Sequence, residues 1–391
     1  MNRIRTLVLV CLLSAWSVSA QNVVIVVIDG LRYSESIGSS DTHIPNIWNS
    51  LRVQGLLWTH FRNEGVTSTN PGHASIETGT WQTIPNDGTQ RPSVPTIFEY
   101  FRKETGSSEQ SCAVIVGKSK LDILTHSTHP EYGPAYAAML RIAPDDAAVI
   151  DSLKAVLTAH RPRLILINLP DVDVAGHAGI FANYLTAIRR ADSLTAEIWN
   201  VIQSDPFYIG TTTMFITNDH GRHDDAHGGF QGHGDSCEGC RHIMLLALGR
   251  SIPSDRVTAE ARSQIDIAPT VAALVGFSAP FSQGTNLLAD TVTAVSRNPG
   301  NSALPAFGLS QNYPNPFNPS THIPFAVPEA GRVRVSVYDL LGRELRVLMD
   351  GVAPAGGSTL TFDATGFASG TYIVRISHGS RVSQLLVHYL R

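Results

Sequence analysis

Carboxylate and imidazole side chains recur just after apolar runs in the first three quarters of the chain. Asp29 follows one such run, and Asp219-His220-Gly follows another. Six oxygen and nitrogen ligands of this kind suffice for two divalent metal ions of the zinc type, with positions left open for substrate. Because an isolated Asp is more often a helix cap or a turn residue, the prediction depends on the joint pattern. The candidate ligands are Asp29, Asp173, His177, Asp219, His220 and, in a Gly-rich stretch, His233 or His227.

The segment Thr67-Ser-Thr69-Asn-Pro71-Gly-His73 carries hydroxyl groups that could act as a nucleophile. A threonine hydroxyl is a poor nucleophile at neutral pH, and a bound metal ion activates it by stabilising the alkoxide. The same residues also fit a Ser/Thr cap before a helix that begins near Pro71. The two interpretations are compatible, because a helix N-terminus favours an anionic phosphoryl group.

Five short apolar runs end abruptly in polar residues, which is typical of strands buried on both faces of a parallel sheet. Helical patterns alternate with these runs and predict an α/β domain of three layers, α/β/α, with a mostly parallel central sheet. Ligand sites in that architecture lie at the carboxyl ends of the strands, where the polar residues fall. We predict that Asp173–His177 forms a loop shortly after the third strand. The predicted strands are Val23–Ile28, Ala113–Val116, Leu164–Ile167, Met214–Thr217 and Met244–Leu248, and the predicted helices are Ile44–Val53, Thr96–Lys103, Asp145–His160, Tyr184–Ile202 and Ile265–Leu274.

The order of the motifs resembles that of the alkaline phosphatase superfamily, in particular its nucleotide pyrophosphatase/phosphodiesterase-like branch and related phosphatases. The resemblance spans most of residues 22–290. It implies two divalent metal ions, with zinc favoured and manganese or a mixed pair as alternatives. The motifs that carry it are Asp29, Thr69-x-Pro71-x-His73, Thr78-Gly79, Asp173-x-x-x-His177, Asp219-His220-Gly and a later His-Gly.

The resemblance also implies a role for each residue. One metal ion would be held by Asp173, His177 and His233. The second would be held by Asp29, Asp219 and His220, with Thr69 as the nucleophile that bridges to it. His233 is preferred to His227 because it precedes Gly-Asp in the manner of the family's last histidine, whereas His223 and His242 are interpreted as loop or surface residues.

The implied reaction is hydrolysis of a small phosphate ester by in-line attack of Thr69 on phosphorus, through a phosphothreonine intermediate. Asn86 is a candidate donor to a phosphoryl oxygen, with a plain turn residue as an equal alternative. Lys118 and Lys120, two of only four lysines in the chain, follow another predicted strand. A Lys-x-Lys/Arg pair at a comparable place contacts the extra oxygens of monoesters in some related enzymes, although a solvated loop is the alternative. A phosphomonoesterase is therefore favoured, and a phosphodiesterase or nucleotide pyrophosphatase and a catalytically inactive surface binding protein remain as alternatives.

Two related activities fit these residues less well. Sulfatases of the superfamily carry Cys or Ser at the nucleophile position, matured to formylglycine, with Arg two residues after the Pro. This chain has Thr69 and His73 at those positions. Cofactor-independent phosphoglycerate mutases have a similar Asp-x-x-Gly-His segment, but they use a serine nucleophile in the cytoplasm.

The N-terminus predicts export. Arg3 and Arg5 precede an apolar run from Leu7 to Trp16, and Val18-Ser-Ala20 offers a cleavage site, so residues 1–20 are predicted to be a signal peptide. No later apolar stretch is long enough for a membrane helix. The 391 residues are 43% hydrophobic and 16% charged, which is typical of a globular protein. Removing the two arginines changes the formal net charge from −4 to −6, which gives no reason to expect bulk nucleic-acid binding.

The composition changes near residue 290. Residues 298–318 are rich in Asn, Pro, Ser and Gly, which indicates a linker, and short strands without helices then predict a small all-β sandwich. The predicted strands are Arg332–Tyr338, Ser358–Phe362, Thr371–Ile376 and Val382–Tyr389. The predicted domains are the signal peptide (1–20), the catalytic domain (21–292), a linker (293–307) and the sandwich (308–391).

The last segment resembles the C-terminal sorting domain of type IX secretion substrates. The motifs are Leu309-Ser-Gln-Asn-Tyr-Pro-Asn-Pro-Phe-Asn-Pro319, Val337-Tyr-Asp-Leu-Leu-Gly-Arg343 and Ala368-Ser-Gly-Thr-Tyr372. The resemblance implies the type IX machinery as a partner, passage across the outer membrane, and release or attachment at the cell surface. An accessory binding domain is the alternative.

Three cysteines remain after the predicted cleavage. Cys237 and Cys240 could form a disulfide in an exported protein, and a structural staple of the loop is favoured over a redox role. Cys112 is predicted to be buried and free.

Overall fold

A nine-stranded sheet forms the centre of the first of two units in this computed structural model, which describes residues 21–289, 307–309, 312, 317–354, 356–379 and 381–390. The first unit ends at Leu287, and the second begins at Leu288 and also includes Asn49–Gln54. The predicted signal peptide lies outside the described residues, as does the predicted linker apart from Phe307.

The sheet is mostly parallel. Its strands in chain order are β1 (Asn22–Ile28), β2 (Gly55–Arg62), β3 (Cys112–Val116), β4 (Met139–Ile142), β5 (Leu164–Leu169), β6 (Thr212–Thr217), β7 (His242–Gly249), β8 (Arg256–Thr258) and β9 (Arg262–Ser263). The spatial order is β4-β3-β5-β1-β6-β7-β2-β8, and β9 pairs with β2. Within this sheet only β7 runs antiparallel to its neighbours, β6 and β2. The α/β architecture predicted from the alternating pattern is confirmed.

The central strand β1 is buried along its whole length, because Val and Ile fill its two faces. It pairs with β5 and β6 in parallel, and Val27 lies level with Asn168 on one side and Thr217 on the other. The chain therefore leaves all three strands at the same edge of the sheet. Asp29 and Asp219 emerge there, each within two residues of its strand end.

Two groups of helices flank the sheet. The helices are α1 (Thr69–Thr78), α2 (Ile97–Thr105), α3 (Asp146–His160), α4 (Asp171–His177), α5 (Phe181–Ser204), α6 (Glu238–Arg241) and α7 (Ile267–Val275). Helix α3 packs on β3 and β5 and against α5, whereas α7 packs on β1 and against α1 and α2. Local capping fixes some helix starts: Thr96 and Glu99 form a capping box at α2, and the Asp145 carboxylate accepts the Ala148 N–H at α3.

One predicted element was wrong, and two others were right in type but differ in helix geometry or strand direction. Residues 44–53 are helical as predicted but do not form a regular α-helix: Pro45 and Asn46 are α-helical, a π-helical turn covers Ile47–Leu51, and a 3-10 turn covers Arg52–Gln54. A short amphipathic segment depends on tertiary partners for its conformation. Asp173–His177 is part of helix α4 rather than a loop. The strand around Met244–Leu248 is the antiparallel strand β7, since a buried apolar run carries no signal for strand direction.

The second unit is a sandwich of two antiparallel sheets. Its strands are β10 (Gly308–Leu309), β11 (Ser320–Val327), β12 (Gly331–Tyr338), β13 (Glu344–Ala353), β14 (Gly356–Asp363), β15 (Gly370–His378) and β16 (Arg381–Tyr389). One sheet has the order β10-β11-β14 and the other β13-β12-β15-β16. Alternate side chains of both sheets, such as Phe325 and Val335, form its own buried core. The predicted all-β region is therefore confirmed.

Within the described residues, none of the helices combines the length and the apolar composition that crossing a lipid bilayer requires.

Candidate metal centre

Two clusters of potential metal ligands lie at the carboxyl edge of the sheet. The inner cluster consists of Asp29, Asp219 and His220, and the outer cluster of Asp173, His220 and His233. Within each cluster the ligand atoms all lie within 4.8 Å of one another. His220 belongs to both clusters, so the two potential metal positions adjoin.

The inner cluster contains buried polar atoms that lack hydrogen-bond partners among the described residues. They are Asp29 Oδ1, Asp219 Oδ2 and His220 Nε2. His220 Nδ1 lies 2.8 Å from the Gly221 carbonyl oxygen, and its Nε2 lies 3.4 Å from Asp219 Oδ2 and 3.7 Å from Asp29 Oδ1. An unpartnered buried polar group is costly, and a divalent cation would coordinate all three of these atoms. The residues present therefore fit a metal ion.

The pKa values of the two carboxyl groups in the inner cluster are shifted in opposite directions. Burial and the neighbouring Asp219 carboxylate raise the pKa of Asp29. Burial acts in the same direction on Asp219, but His220 and His73 outweigh it and hold the pKa of Asp219 below its ordinary value. The cluster thus concentrates negative charge that a cation would neutralise.

In the outer cluster, His233 is oriented by a hydrogen bond at the ring nitrogen that faces away from the other ligands. His233 Nδ1 lies 3.1 Å from the Thr67 carbonyl oxygen, which leaves Nε2 facing the cluster, 3.8 Å from Asp173 Oδ1. His177 Nε2 lies 3.1 Å from His233 Nε2 and 3.5 Å from Asp173 Oδ1, so His177 joins this group from a half-exposed position. Burial, with His220 nearby, lowers the pKa of His233 to about 3. His233 is therefore neutral at physiological pH, which is the form that binds a metal.

A fully buried arginine fixes Asp173. Arg222 donates to the Asp173 carboxylate, to its backbone carbonyl at 2.7 Å, and to the carbonyls of Phe230 and Gln231 at 3.0 and 2.9 Å. The last two bonds tie down the Gly-rich stretch just before His233. Burial alone would raise the pKa of Asp173, but Lys118, His220 and Arg222 outweigh burial and hold it below its ordinary value.

Lys118 lies between the two clusters. Its Nζ is 2.9 Å from Asp29 Oδ2 and 2.6 Å from Asp173 Oδ2. Burial would lower the pKa of Lys118, but these carboxylates raise it above its ordinary value. Lys118 follows β3 through Gly117, and its ammonium group lies at the point where both ligand clusters meet.

Thr69 is the first residue of α1 and is buried. The helix lies directly against the inner cluster, because a Cβ on Gly72 would come within 2.5 Å of the Asp219 carbonyl oxygen. His73 Nδ1 lies 2.8 Å from the Thr69 carbonyl oxygen and 3.3 Å from Asp219 Oδ2. The first turn of α1 is thus held beside the ligands.

Asn86 and Lys120 border the same helix N-terminus. Asn86 Oδ1 accepts the Asn70 N–H at 2.9 Å and the Lys120 ammonium at 3.0 Å. Asn70 Nδ2 in turn donates to the Lys120 carbonyl oxygen at 2.8 Å. Burial and Lys118 lower the pKa of Lys120. These contacts join the loop that carries Asn86 and the segment after β3 to the first turn of α1.

Two residues of the site had no predicted role. Asn168 donates to Asp29 Oδ2 at 2.9 Å, accepts the Gly117 N–H at 3.2 Å, and lies 3.2 Å from His73 Nε2. Its position at the end of an apolar run was the available signal. Arg222 was the other; its place directly after Asp219-His220-Gly was visible in the sequence, but its complete burial was not.

His227 and His242 lie outside the inner and outer clusters. His227 is exposed, with Nδ1 2.6 Å from Asp224 Oδ1, and it belongs to neither the inner nor the outer cluster. His242 stacks on Tyr33 with ring centroids 3.7 Å apart. Cys112, Cys237 and Cys240 are free thiols in the structure, so the disulfide considered between the last two is not formed.

Each of the two units contains a segment that matches the model of a known family. Residues 135–279 match the family model of the metalloenzyme superfamily, and residues 311–387 match that of the secretion system C-terminal sorting domain. These matches, with the structural likenesses below, confirm the resemblance to the alkaline phosphatase superfamily and to a type IX sorting domain.

Sequence similarity to characterised proteins is partial. The 2,3-bisphosphoglycerate-independent phosphoglycerate mutase of Serratia proteamaculans (strain 568) is 25% identical over 134 residues, which is 34% of this chain and 24% of the mutase. The mutase of the same name from Pseudoalteromonas translucida (strain TAC 125) is 26% identical over 130 residues, or 33% and 24% of the two chains. The chain thus spans about a quarter of the length of the curated relatives it matches.

Solved structures share the fold at low sequence identity. A 2-O GAG sulfatase has a TM-score of 0.53 at 12% identity, covering 89% of this chain and 86% of its own. A protein in the alkaline phosphatase superfamily from Vibrio parahaemolyticus has a TM-score of 0.51 at 13% identity, covering 93% and 79%. The lipoteichoic acid synthase LtaP from Listeria monocytogenes has a TM-score of 0.50 at 13% identity, covering 68% and 73%. At such identities the likeness establishes the fold alone.

Proposed function

We propose that this protein, which has an alkaline-phosphatase-like metalloenzyme fold and a secretion sorting domain, is an exported hydrolase of phosphate esters. Two divalent cations, zinc being favoured, would be held by the inner and outer clusters, with His177 completing the outer one. When bound, they would supply charge neutralisation for the attacking and leaving oxygens. Thr69 is the proposed nucleophile, and a phosphomonoester is the favoured substrate class.

The observation that carries the proposal is the set of unpartnered ligand atoms in the inner cluster. Asp29 Oδ1, Asp219 Oδ2 and His220 Nε2 are buried, mutually close and without hydrogen bonds in the described part of the chain. A merely structural cluster would be expected to satisfy these atoms internally. Their convergence beside the first turn of α1 supports metal-assisted attack by a hydroxyl from that turn.

The residue at the nucleophile position separates ester classes. Thr69 carries a methyl group on Cβ, so its oxidation would yield a ketone and never the aldehyde of formylglycine. This side chain would therefore act as an unmodified hydroxyl that attacks a phosphoryl group. The fold-level likeness to sulfatases is therefore compatible with a different ester specificity, since fold and function vary separately.

Positive charge favours a monoester over a diester. Lys118 and Lys120 lie two residues apart, one between the ligand clusters and the other beside the N-terminus of α1. A monoester dianion carries two negative charges over three non-bridging oxygens, whereas a diester carries one over two, and ammonium groups at this edge would stabilise the additional charge. Asn86, which contacts the N-terminal turn of α1, is a candidate to orient a phosphoryl oxygen.

The sorting domain indicates delivery by a secretion system. We infer passage across the outer membrane by the type IX machinery after removal of residues 1–20, with release or surface attachment. The substrate would then be a phosphate ester outside the cell.

The test is a substrate panel on the purified mature chain. Matched aryl phosphate monoesters, aryl phosphate diesters and aryl sulfates should be hydrolysed in the order monoester, diester, sulfate, and chelation should abolish turnover. Quenching during turnover should leave a phosphoryl group on the peptide that contains Thr69, detectable by mass spectrometry. Preferential sulfate hydrolysis would refute the ester class, and no activity in metal-replete protein would favour an inactive binding protein.

A further inference from the structure

We propose a third cation site, of the structural zinc type, formed by Cys237, Cys240, His223 and His227 in the loop that follows the inner-cluster residues. This site, here called the thiolate site, is separate from the inner and outer clusters and has a different ligand chemistry.

Two ligand groups adjoin in this loop. His223, Asp235 and Cys240 have potential ligand atoms all within 4.8 Å of one another, and so do Asp224, His227 and Cys237. The two cysteines are separated by only two residues: Cys237 is the N-cap of the short helix α6, and Cys240 lies within it. Each group contributes one imidazole and one thiol to the proposed site.

The residue types and spacing fit a closed tetrahedral site. His223-x-x-x-His227 followed by Cys237-x-x-Cys240 supplies two imidazoles and two thiols at the short separations typical of structural zinc ligands. Sulfur ligands select zinc over magnesium or calcium, whereas the catalytic clusters contain only oxygen and nitrogen. Four protein ligands leave no open position for substrate, so the expected role is structural.

The two thiols of this group are buried and His223 is partly buried, whereas His227 is exposed. Cys240 is fully buried and Cys237 nearly so, and both are free thiols. His223 Nε2 is a buried atom without a hydrogen-bond partner in the described part of the chain, although it lies 3.3 Å from Asp235 Oδ2. Asp235 Oδ1 accepts the Cys237 N–H at 3.0 Å, which orients the second half of the site.

The thiolate site lies where the two ends of the loop that carries His233 come together. Gly221 N–H donates to the Cys240 carbonyl at 2.8 Å, and His223 N–H donates to the Gly232 carbonyl at 2.9 Å. In sequence, His233 lies between the segments that these two hydrogen bonds join. A cation joining the beginning and the end of the loop would reduce its conformational freedom, much as a crosslink does, and would hold His233 beside Asp173.

The first experiment measures metal on the purified mature chain, prepared with zinc and without reductant. We expect about three zinc ions per chain, counting the two proposed catalytic ions. Cobalt substitution should give intense sulfur-to-cobalt charge-transfer absorption, because only thiolate ligands produce it. Cys240→Ser should lose this absorption and one metal ion per chain, while Cys112→Ala, which alters a thiol in β3, should retain both. His223→Ala should shift the cobalt spectrum and keep residual sulfur ligation.

Two outcomes would overturn the proposal. One is wild-type, cobalt-loaded protein that lacks the charge-transfer absorption, a readout that requires no variant to fold. The other is a Cys237–Cys240 disulfide in the secreted protein, seen by mass spectrometry of non-reduced peptides. Neither result bears on the catalytic clusters, whose ligands contain no sulfur, so failure here is distinguishable from failure of the proposed hydrolase activity.

Discussion

The ammonium group of Lys118 lies 2.6 Å from the carboxylate of Asp173, and the same Nζ atom lies 2.9 Å from Asp29. A lysine side chain therefore bridges one carboxylate of the inner cluster and one of the outer cluster. Because cations at these clusters would compete with the ammonium for both carboxylates, Lys118 would be free to contact an anionic substrate when they bind.

We expect Lys118→Met to reduce kcat/KM for an aryl phosphate monoester about 10- to 100-fold, because a charge-assisted hydrogen bond contributes roughly 1.5–3 kcal/mol. The loss for the matching diester should be smaller. Lys154→Met, which alters an exposed lysine of α3 paired with Glu197, serves as the control and should leave both substrates unaffected. Equal losses for monoester and diester would contradict a role in recognising the monoester.

Thr69→Ala should lower kcat by roughly three orders of magnitude or more, because it removes the proposed nucleophile and leaves every carboxylate and imidazole ligand in place. Metal content, measured by mass spectrometry of the digested protein, should not change. Thr69→Ser should restore part of the activity by returning a hydroxyl. If the alanine variant instead lost its metal while the serine variant stayed inactive, Thr69 would have a structural role.

Asp219→Ala should release metal from the inner cluster. Its affinity should fall by more than the roughly 10- to 100-fold that loss of a hydrogen-bonding partner of a metal ligand causes, because the substitution removes a ligand atom. Titration of metal-free protein with zinc, followed by calorimetry, measures the change. Asp151→Ala, at an exposed position on α3, is the matched control. Identical titrations of both variants would reject the ligand assignment.

Asp146 predicts a pH dependence of stability that is separate from the metal centre. Burial raises the pKa of Asp146 to about 7. Between its unfolded value near 4 and pH 7 the folded protein binds more protons than the unfolded chain, so stability falls as pH rises through this window. Above it both states are ionised, and the full penalty, on the order of 4 kcal/mol, is present.

Asp146→Asn should therefore stabilise the metal-free protein most at about pH 8 and hardly at all near pH 4. Urea unfolding followed by tryptophan fluorescence measures the difference. Asp145→Asn is the control, because Asp145 is the exposed N-cap of α3 and Asn caps a helix equally well. A gain that is the same at both pH values would show that the effect is not electrostatic.

The centre of the fold was predictable because local and tertiary signals agree there. The runs before Asp29 and Asp219 are apolar enough to identify buried strands, and parallel strands bring their carboxyl ends to one edge. Strand β2 was missed because Gly55–Arg62 mixes polar and aromatic residues, and its conformation comes from pairing with β7. Short helix α4 was missed because Gly176 lowers its helix propensity, although the close approach of Arg222 requires glycine there.

The site was less predictable than the fold. Residue types identified the metal-binding candidates, but not the hydrogen bonds that orient them. Asn168 and Arg222 act through contacts between segments more than 40 residues apart in sequence, and such contacts leave no local pattern. The bridging position of Lys118 likewise follows from the order of β3, β5 and β1 in space, which is a property of topology.

Gly72 limits how this protein could change by mutation. Since only a hydrogen atom separates α1 from the Asp219 backbone, any larger residue would push the whole helix outward and carry Thr69 with it. The distance between the Thr69 hydroxyl and the Asp219 carboxylate thus depends on the spacing of the two main chains. Variation in reactivity among descendants of this sequence should therefore arise from the surrounding loops, while position 72 stays closed to mutation.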